Sequence, residues 1–184
     1  MRYFTSDLHL GHRSIIKNAN RPFESVSHQT AVLEAIWYGT VGADDEVYVL
    51  GDFLMGDGSD LRRVSRWPGR IKVVPGNHDM CHPMHAEHAK AARRLRHYGI
   101  EVLDPQVSIE IGAHEVLLCH FPPDGDSRAG RMRYPEWRPS EIGWIVHGHV
   151  HTMWRQRGQW INAGVDAWAG RPVSEKVIAE LMED

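Results

Sequence analysis

Ile71-Lys72-Val73-Val74-Pro75-Gly76-Asn77-His78-Asp79 decides how the rest of the chain is read. The apolar, β-branched start predicts a strand, Pro75-Gly76 ends it in a turn, and polar side chains follow at once. The pattern recurs along the chain. Val47-Tyr48-Val49-Leu50-Gly51 leads into Asp52, and Val116-Leu117-Leu118-Cys119 leads into His120. Arg2-Tyr3-Phe4-Thr5 precedes Asp7-Leu8-His9, and Trp144-Ile145-Val146 precedes His147-Gly148-His149. One such piece is ordinary turn chemistry. The ordered series implies strand ends converging on one site, where open α/β sheets place their ligands.

The side chains at those strand ends share one chemistry. Asp7 and His9 are two apart, so an extended segment projects both from one face. His147 and His149 repeat that spacing, with Gly148 between them where a backbone must approach something closely. The inventory is the carboxylates Asp7 and Asp52, the amide Asn77, and the imidazoles His9, His120, His147 and His149. That exceeds the needs of one tetrahedral zinc. It suits two ions sharing a bridging carboxylate. Oxygen and imidazole donors without thiolate favour Mn²⁺, with Fe, Zn²⁺ or Ni²⁺ as alternatives, over copper(I) or iron–sulfur clusters. Two ions about 3.5–4 Å apart can hold a hydroxide and clamp a phosphoryl group.

The order Asp-x-His, Gly-Asp, Gly-Asn-His-Asp, His, Gly-His-x-His resembles the calcineurin-like metallophosphoesterase superfamily, from Asp7 to about Asp166. Gly11-His12, Ile15-Ile16 and Arg21-Pro22-Phe23 look like a compact bacterial and phage branch of it, as does Asn162-Ala163-Gly164-Val165-Asp166 followed by Arg171-Pro172-Val173-Ser174. The resemblance implies that Asp7, His9 and His149 hold a first metal, that Asn77, His120 and His147 hold a second, and that Asp52 bridges them. It implies a catalytic His78 that stabilises the transition state or protonates the leaving oxygen, with Asp79 orienting its ring. The implied activity is hydrolysis of phosphodiesters by a metal-bridging hydroxide, with 2′,3′-cyclic nucleotides the favoured class. The alternatives are a nuclease or phosphomonoesterase using the same site, or a non-catalytic scaffold of this fold. A scaffold has no reason to keep His78 beside a full ligand set. Gly51-Asp52 continues as Phe53-Leu54-Met55-Gly56, without the arginine that protein phosphatases of the superfamily carry, which argues against a phosphoprotein substrate.

A length of 184 residues fits a single domain, 1–184, and 42% hydrophobic residues suffice for a sizeable core. The net charge of −3 gives no global field for nucleic acid, which is a less favoured partner than a small phosphodiester or nucleotide. No apolar run is long enough for a transmembrane helix, and strand pattern begins at once, so neither membrane span nor signal peptide is expected. Cys81 and Cys119 form no Cys-x-x-Cys, and a reduced, cytoplasmic setting is the simplest reading. The oligomeric state is left open.

Strand and helix patterns alternate in the first half. Helices are predicted over 10–19, over 27–40 with Ala31, Val32, Ala35 and Ile36 as the apolar stripe, over 59–67 with Ser59 or Asp60 as N-cap, and over 84–97. Val107, Ile109 and Ile111, then Gly112-Ala113, then Val116–Cys119 read as a hairpin, with further strands at 144–147 and 160–161. The sum is an α/β four-layer αββα sandwich, two mixed β-sheets flanked by helices.

Other residues carry weaker signals. His12 and Arg21 are candidate substrate contacts, Arg21 against the plainer reading of a surface turn. His82, His85 and His88 read as the solvated rim of a helix. Cys81 is not expected to be a nucleophile, and Cys119 should point into the core. His151 is balanced between a supporting hydrogen bond and plain exposure. Lys90, Arg93, Arg94, Arg96 and His97 read as a solvated face. The 122–139 segment, with Arg128, Arg131, Arg133, Arg138, Tyr134 and Trp137, leans towards substrate recognition.

Overall fold

Val47, Tyr48, Val49 and Leu50 alternate between two cores, and that alternation organises the molecule. A strand buried on both faces reads as a continuous apolar run. The computed structural model describes residues 1–55, 59–128, 130, 132–140 and 143–183. Gly56, the side chain of Ser59 and Arg131, each named above, lie outside the described residues.

The first sheet runs β10-β1-β2-β3-β4. In it β1 (Arg2–Thr5), β2 (Glu46–Val49), β3 (Arg70–Val73) and β4 (Glu101–Val102) are parallel, and β10 (Val173–Ser174) is antiparallel to β1. The second sheet runs β5-β6-β7-β9-β8. Its hairpin, β5 (Gln106–Ile111) with β6 (His114–Cys119), closes at Ile111 opposite His114, as the alternation predicts. β7 (Trp144–His147) and β9 (Trp160–Asn162) add in parallel, and β8 (Gln156–Arg157) closes the edge antiparallel to β9.

One core packs Leu33 and Trp37 of α2 (Val26–Tyr38) and Leu61 and Val64 of α3 (Ser59–Val64) on Val47, Val49 and Val73. The other joins the sheets: Phe4, Tyr48, Leu50 and Val74 meet Ile111, Val116, Leu118, Val146 and Ile161, with Ile178 and Met182 of α5 (Glu175–Glu183). Two mixed five-stranded sheets flanked by helices therefore form the expected α/β sandwich. Among the described residues no helix is long and apolar enough to cross a membrane.

The helices differ from expectation in instructive ways. α1 is only Ile15–Asn18. α2 starts where the Ser25 hydroxyl accepts the His28 amide at 3.1 Å, a side-chain N-cap. Its buried residues are Gln29, Thr30, Leu33 and Trp37, not the stripe of Ala31, Val32, Ala35 and Ile36. The larger apolar side chains take the inward face, and Gln29 is buried because its amide donates to the Leu8 carbonyl at 3.2 Å. α4 (His88–His97) begins later than predicted. Residues 82–87 instead form successive turns, in which His82, His85 and His88 amides donate to the carbonyls of Asp79, His82 and His85. Lys90, Arg93, Arg94, Arg96 and His97 are exposed, as a solvated face should be.

Candidate metal centre

The carboxyl ends of β1 and β2 are zipped together. The amides of Asp7, His9 and Leu10 donate to the carbonyls of Gly51, Asp52 and Phe53 at 3.0, 2.8 and 3.0 Å. Asp7, His9, Asp52, His149 and His151 all have left-handed backbone, with φ of 57°, 49°, 53°, 71° and 49°. Each such residue costs on the order of 1–3 kcal/mol and persists only where its surroundings over-determine it. Asp7 and His9 thus converge through left-handed turns, not through the extended alternation expected. Gly148 is needed for close approach: a Cβ there would lie 1.9 Å from Ser6 Oγ and 2.6 Å from Asp7 Oδ2.

Two donor groups result. Asp7, His9 and His151 each offer one ligand atom, all within 4.8 Å of one another, and so do Asp7, Asp52 and His120. His9 Nε2 and His151 Nε2 lie 3.8 and 3.9 Å from Asp7 Oδ1. Asp52 Oδ2 stands between His9 Nε2 at 3.4 Å and His120 Nε2 at 3.5 Å, the place of a bridge. His149 Nδ1 faces His120 Nε2 at 3.3 Å.

The supporting bonds fix the ring orientations. His120 Nδ1 meets the Leu50 carbonyl at 2.8 Å, and His151 Nδ1 meets Asp166 Oδ2 at 2.6 Å, so each ring keeps its Nε2 for the interior. Among the described residues the buried His9 Nε2, Asn77 Oδ1 and His147 Nε2 make no hydrogen bond. Buried polar atoms are rarely left so. Burial, then the charges of Asp7 and Asp79, push the Asp52 carboxyl up to about 7. Unpartnered donors around crowded carboxylates fit divalent cations, which neutralise that repulsion. The residues present would hold one ion with Asp7, His9 and His151, and a second with Asn77, His120 and His149, Asp52 reaching both.

This grouping differs from the assignment implied by resemblance: His151, in place of His149, lies with Asp7 and His9, and His149 faces His120. Neither His147 nor His149 belongs to a donor group among the described residues. His147 is still inside β7, paired with Asn162, and its Nδ1 meets the Gly148 carbonyl at 2.8 Å. The signal was present in the sequence: Gly-His-x-His counted from Gly148 selects His149 and His151.

The remaining candidates separate cleanly. The His78 amide donates to Asp52 Oδ1 at 2.9 Å, and its partly exposed ring lies 5.3 Å from that of His9 and 5.4 Å from that of His12. Burial, then His12, His120 and Arg133, lower it to about 4. The Asp79 carboxylate does not orient that ring. It accepts the amides of Asp52, Phe53 and Gly76 at 2.7, 2.9 and 2.8 Å, clamping the two ligand loops together. His12 does reach the site, with Nδ1 3.1 Å from His9 Nδ1 and Nε2 2.7 Å from Ser14 Oγ. Arg21 is not the surface turn residue of the plainer reading. It is buried, forks onto Asp166, and donates to the Asp7 and Leu8 carbonyls and to Gln29.

His82 is buried against Trp137, ring centroids 4.4 Å apart, rather than solvated. His85 Nε2 braces the Asn77 carbonyl at 3.0 Å. Burial pushes both thiols up, Cys81 and Cys119 alike, so neither is a ready nucleophile. Asp126, which the sequence did not single out, lies 3.1 Å from His149 Nε2.

Fold and site together define an α/β sandwich with a candidate metal centre at its strand ends. No family model matches the chain. Gene 66 protein of Mycobacterium phage L5 is 35% identical over 205 residues, covering 98% of this chain and 93% of that protein. The chain belongs to the family of that protein. The solved structure of AQ665, a protein of unknown function from Aquifex aeolicus, matches with 28% identity and a TM-score of 0.75, covering 98% of each chain. An archaeal phosphodiesterase is similar at 16% identity and a TM-score of 0.45, over 92% of this chain and 85% of that one, too distant to carry an argument.

Proposed function

We propose that the chain is a metal-dependent phosphoesterase acting on phosphodiesters, with 2′,3′-cyclic nucleotides as the first class to test and Mn²⁺ as the first metal. The observation that carries this reading is the pair of donor groups sharing Asp7, with Asp52 between His9 and His120. Bound there, divalent ions supply charge for phosphoryl oxygens and acidity for water.

The chain's own residues supply the rest. Asp166 holds His151 in one tautomer through its Nδ1. Asp79 keeps the Asp52 and Asn77 loops in register. His78 stands beside the centre without belonging to either donor group. Lowered to about 4, its ring is neutral near pH 7 and offers an N–H to a phosphoryl or leaving oxygen, the transition-state role of the two expected for it. A strained cyclic diester asks least of such a site, because its leaving hydroxyl stays attached. The buried, free thiols of Cys81 and Cys119 support a reducing, cytoplasmic setting.

The test is a substrate panel with Mn²⁺ and with chelator: a generic aryl phosphodiester, 2′,3′-cyclic nucleotides, linear diesters, single-stranded RNA and monoesters. Metal-dependent diester hydrolysis that Asp52→Asn abolishes is the expected result. Two tightly bound ions with no turnover on any substrate would overturn the reading in favour of a scaffold.

A further inference from the structure

Arginines stand on both sides of the centre, and the fold uses most of them up. Arg21 spends its fork on Asp166, Gln29 and two carbonyls. Arg138 is 3% exposed and donates to the carbonyls of Arg133 and Pro122 at 2.9 and 2.6 Å. Arg133 is different. Its Nε lies 3.1 Å from both oxygens of Asp126, and its Nη2 donates to Asp126 Oδ1 at 2.6 Å and to Ser127 Oγ at 3.0 Å. Among the described residues no hydrogen bond involves its Nη1, and the side chain is 24% exposed.

Asp126 Oδ2 also lies 3.1 Å from His149 Nε2. One carboxylate therefore sits between a candidate metal ligand and a half-used guanidinium. The Tyr134 ring, 6.2 Å from that of His149, lies 5.6 Å from the guanidinium carbon and limits where it can swing. Arg133 is also within electrostatic reach of His78 and Asp52.

We propose that Arg133 is the phosphoryl-gripping residue of this site, with Asp126 fixing two of its nitrogens so that Nη1 binds a non-bridging oxygen of the ester. The inference rests on the phosphoesterase reading. Arg133 then supplies a cation from the chain beyond His120, while the Gly51-Asp52 motif lacks an arginine of its own. A guanidinium suits that role because it can hold Asp126 and a phosphoryl oxygen at once in one plane. An ammonium offers a point charge without the fork.

The experiment compares wild type, Arg133→Gln and Arg133→Lys, each with Mn²⁺. It reads calorimetric binding of inorganic phosphate, KM and kcat on an aryl phosphodiester, metal content and melting temperature. Arg133→Gln should weaken phosphate binding and raise KM by about 10–100-fold while metal content holds, a charge-assisted bond having been lost. Arg133→Lys should recover only part of that. Unchanged phosphate binding and KM in a folded, metal-loaded Arg133→Gln protein would overturn the proposal. So would loss of metal and phosphate binding together, which assigns Arg133 a bracing role. If Arg133→Gln does not fold, Arg133→Lys decides, and phosphate binding equal to wild type refutes the grip. Arg133-dependent phosphate binding by a wild type that hydrolyses nothing would sink the hydrolase reading and leave the grip standing.

Discussion

His151 donates from Nδ1 to Asp166 Oδ2 at 2.6 Å, and Arg21 forks onto the same carboxylate, Nε to Oδ1 and Nη2 to Oδ2, at 2.8 Å each. The chain Arg21–Asp166–His151 ends with His151 Nε2 3.9 Å from Asp7 Oδ1. Burial disfavours the His151 cation, but Asp7 and Asp166 outweigh it and raise the ring's pKa. A residue just after α1 and another just after β9 thus set the orientation of a candidate ligand.

Asp166→Ala removes the acceptor of both partners. Arg21 is left buried without its counter-charge, so stability should fall by about 3–5 kcal/mol, the cost of breaking a buried pair. Freed from its orienting carboxylate, His151 should bind metal about 10–100-fold more weakly. Denaturant unfolding and titration with Mn²⁺ read the two effects separately. Wild-type stability in both would show that the carboxylate orients nothing.

His151→Ala and His147→Ala should behave differently although the residues are near neighbours. His151→Ala deletes a member of the first donor group and should lower bound metal by about one ion per chain. His147→Ala should leave the metal content as it was. Elemental analysis after dialysis decides between them, and the reverse pattern would restore His147 to the ligand set.

His78→Ala should lower turnover of a cleaved diester by about two to four orders of magnitude. Its ring belongs to neither donor group, so metal content should not change. Steady-state kinetics beside metal analysis makes the comparison. A variant as fast as wild type would strip His78 of its role.

His82 gives the fold a pH dependence outside the ligand set. Burial, then His120 and His85, lower its ring from 6.5 to about 4. With the folded value below the unfolded one, the unfolded chain binds the proton more readily between them. The stabilisation is complete above pH 6.5 and is lost as pH falls towards 4. His82→Phe fills the same place against Trp137 without a titratable group, at the loss of a hydrogen bond from the Met84 amide worth about 1 kcal/mol. The stability gap between wild type and His82→Phe, followed by thermal melts in chelator, should favour the variant progressively as pH drops through that window. A gap constant with pH would mean that His82 does not titrate on unfolding.

Much of the architecture was written locally. Val47 to Leu50 reads as a strand from its unbroken apolar run and Ile71 to Val74 from its β-branched residues around Lys72, and Ile109-Glu110-Ile111 around Gly112-Ala113 reads as a hairpin because period-two alternation and a turn suffice. The loops bearing Asp7, His9, Asp52, Asn77 and His120 could be picked out by their place at strand ends. The convergence of the Asp7, Asp52 and Asn77 loops followed from parallel strand order, which a strand–helix alternation implies.

What stayed hidden depended on partners distant in sequence or on backbone that no pattern announces. α2 turned Gln29 inward, where its amide donates to the Leu8 carbonyl and accepts from Arg21. Arg21 lost its freedom to Asp166, and His82 was covered by Trp137. β7 still pairs at His147, and the left-handed residues beyond it bring His151 beside Asp7 and His9. Sequence alone determined the sheets, the loops at their ends and the chemical type of the donors, because those depend on neighbouring residues and side-chain identity. Only the tertiary structure decided which imidazoles enter the centre and which arginines remain free to act, because left-handed turns at Asp7, His9, Asp52, His149 and His151, and contacts between remote segments, set where each side chain points.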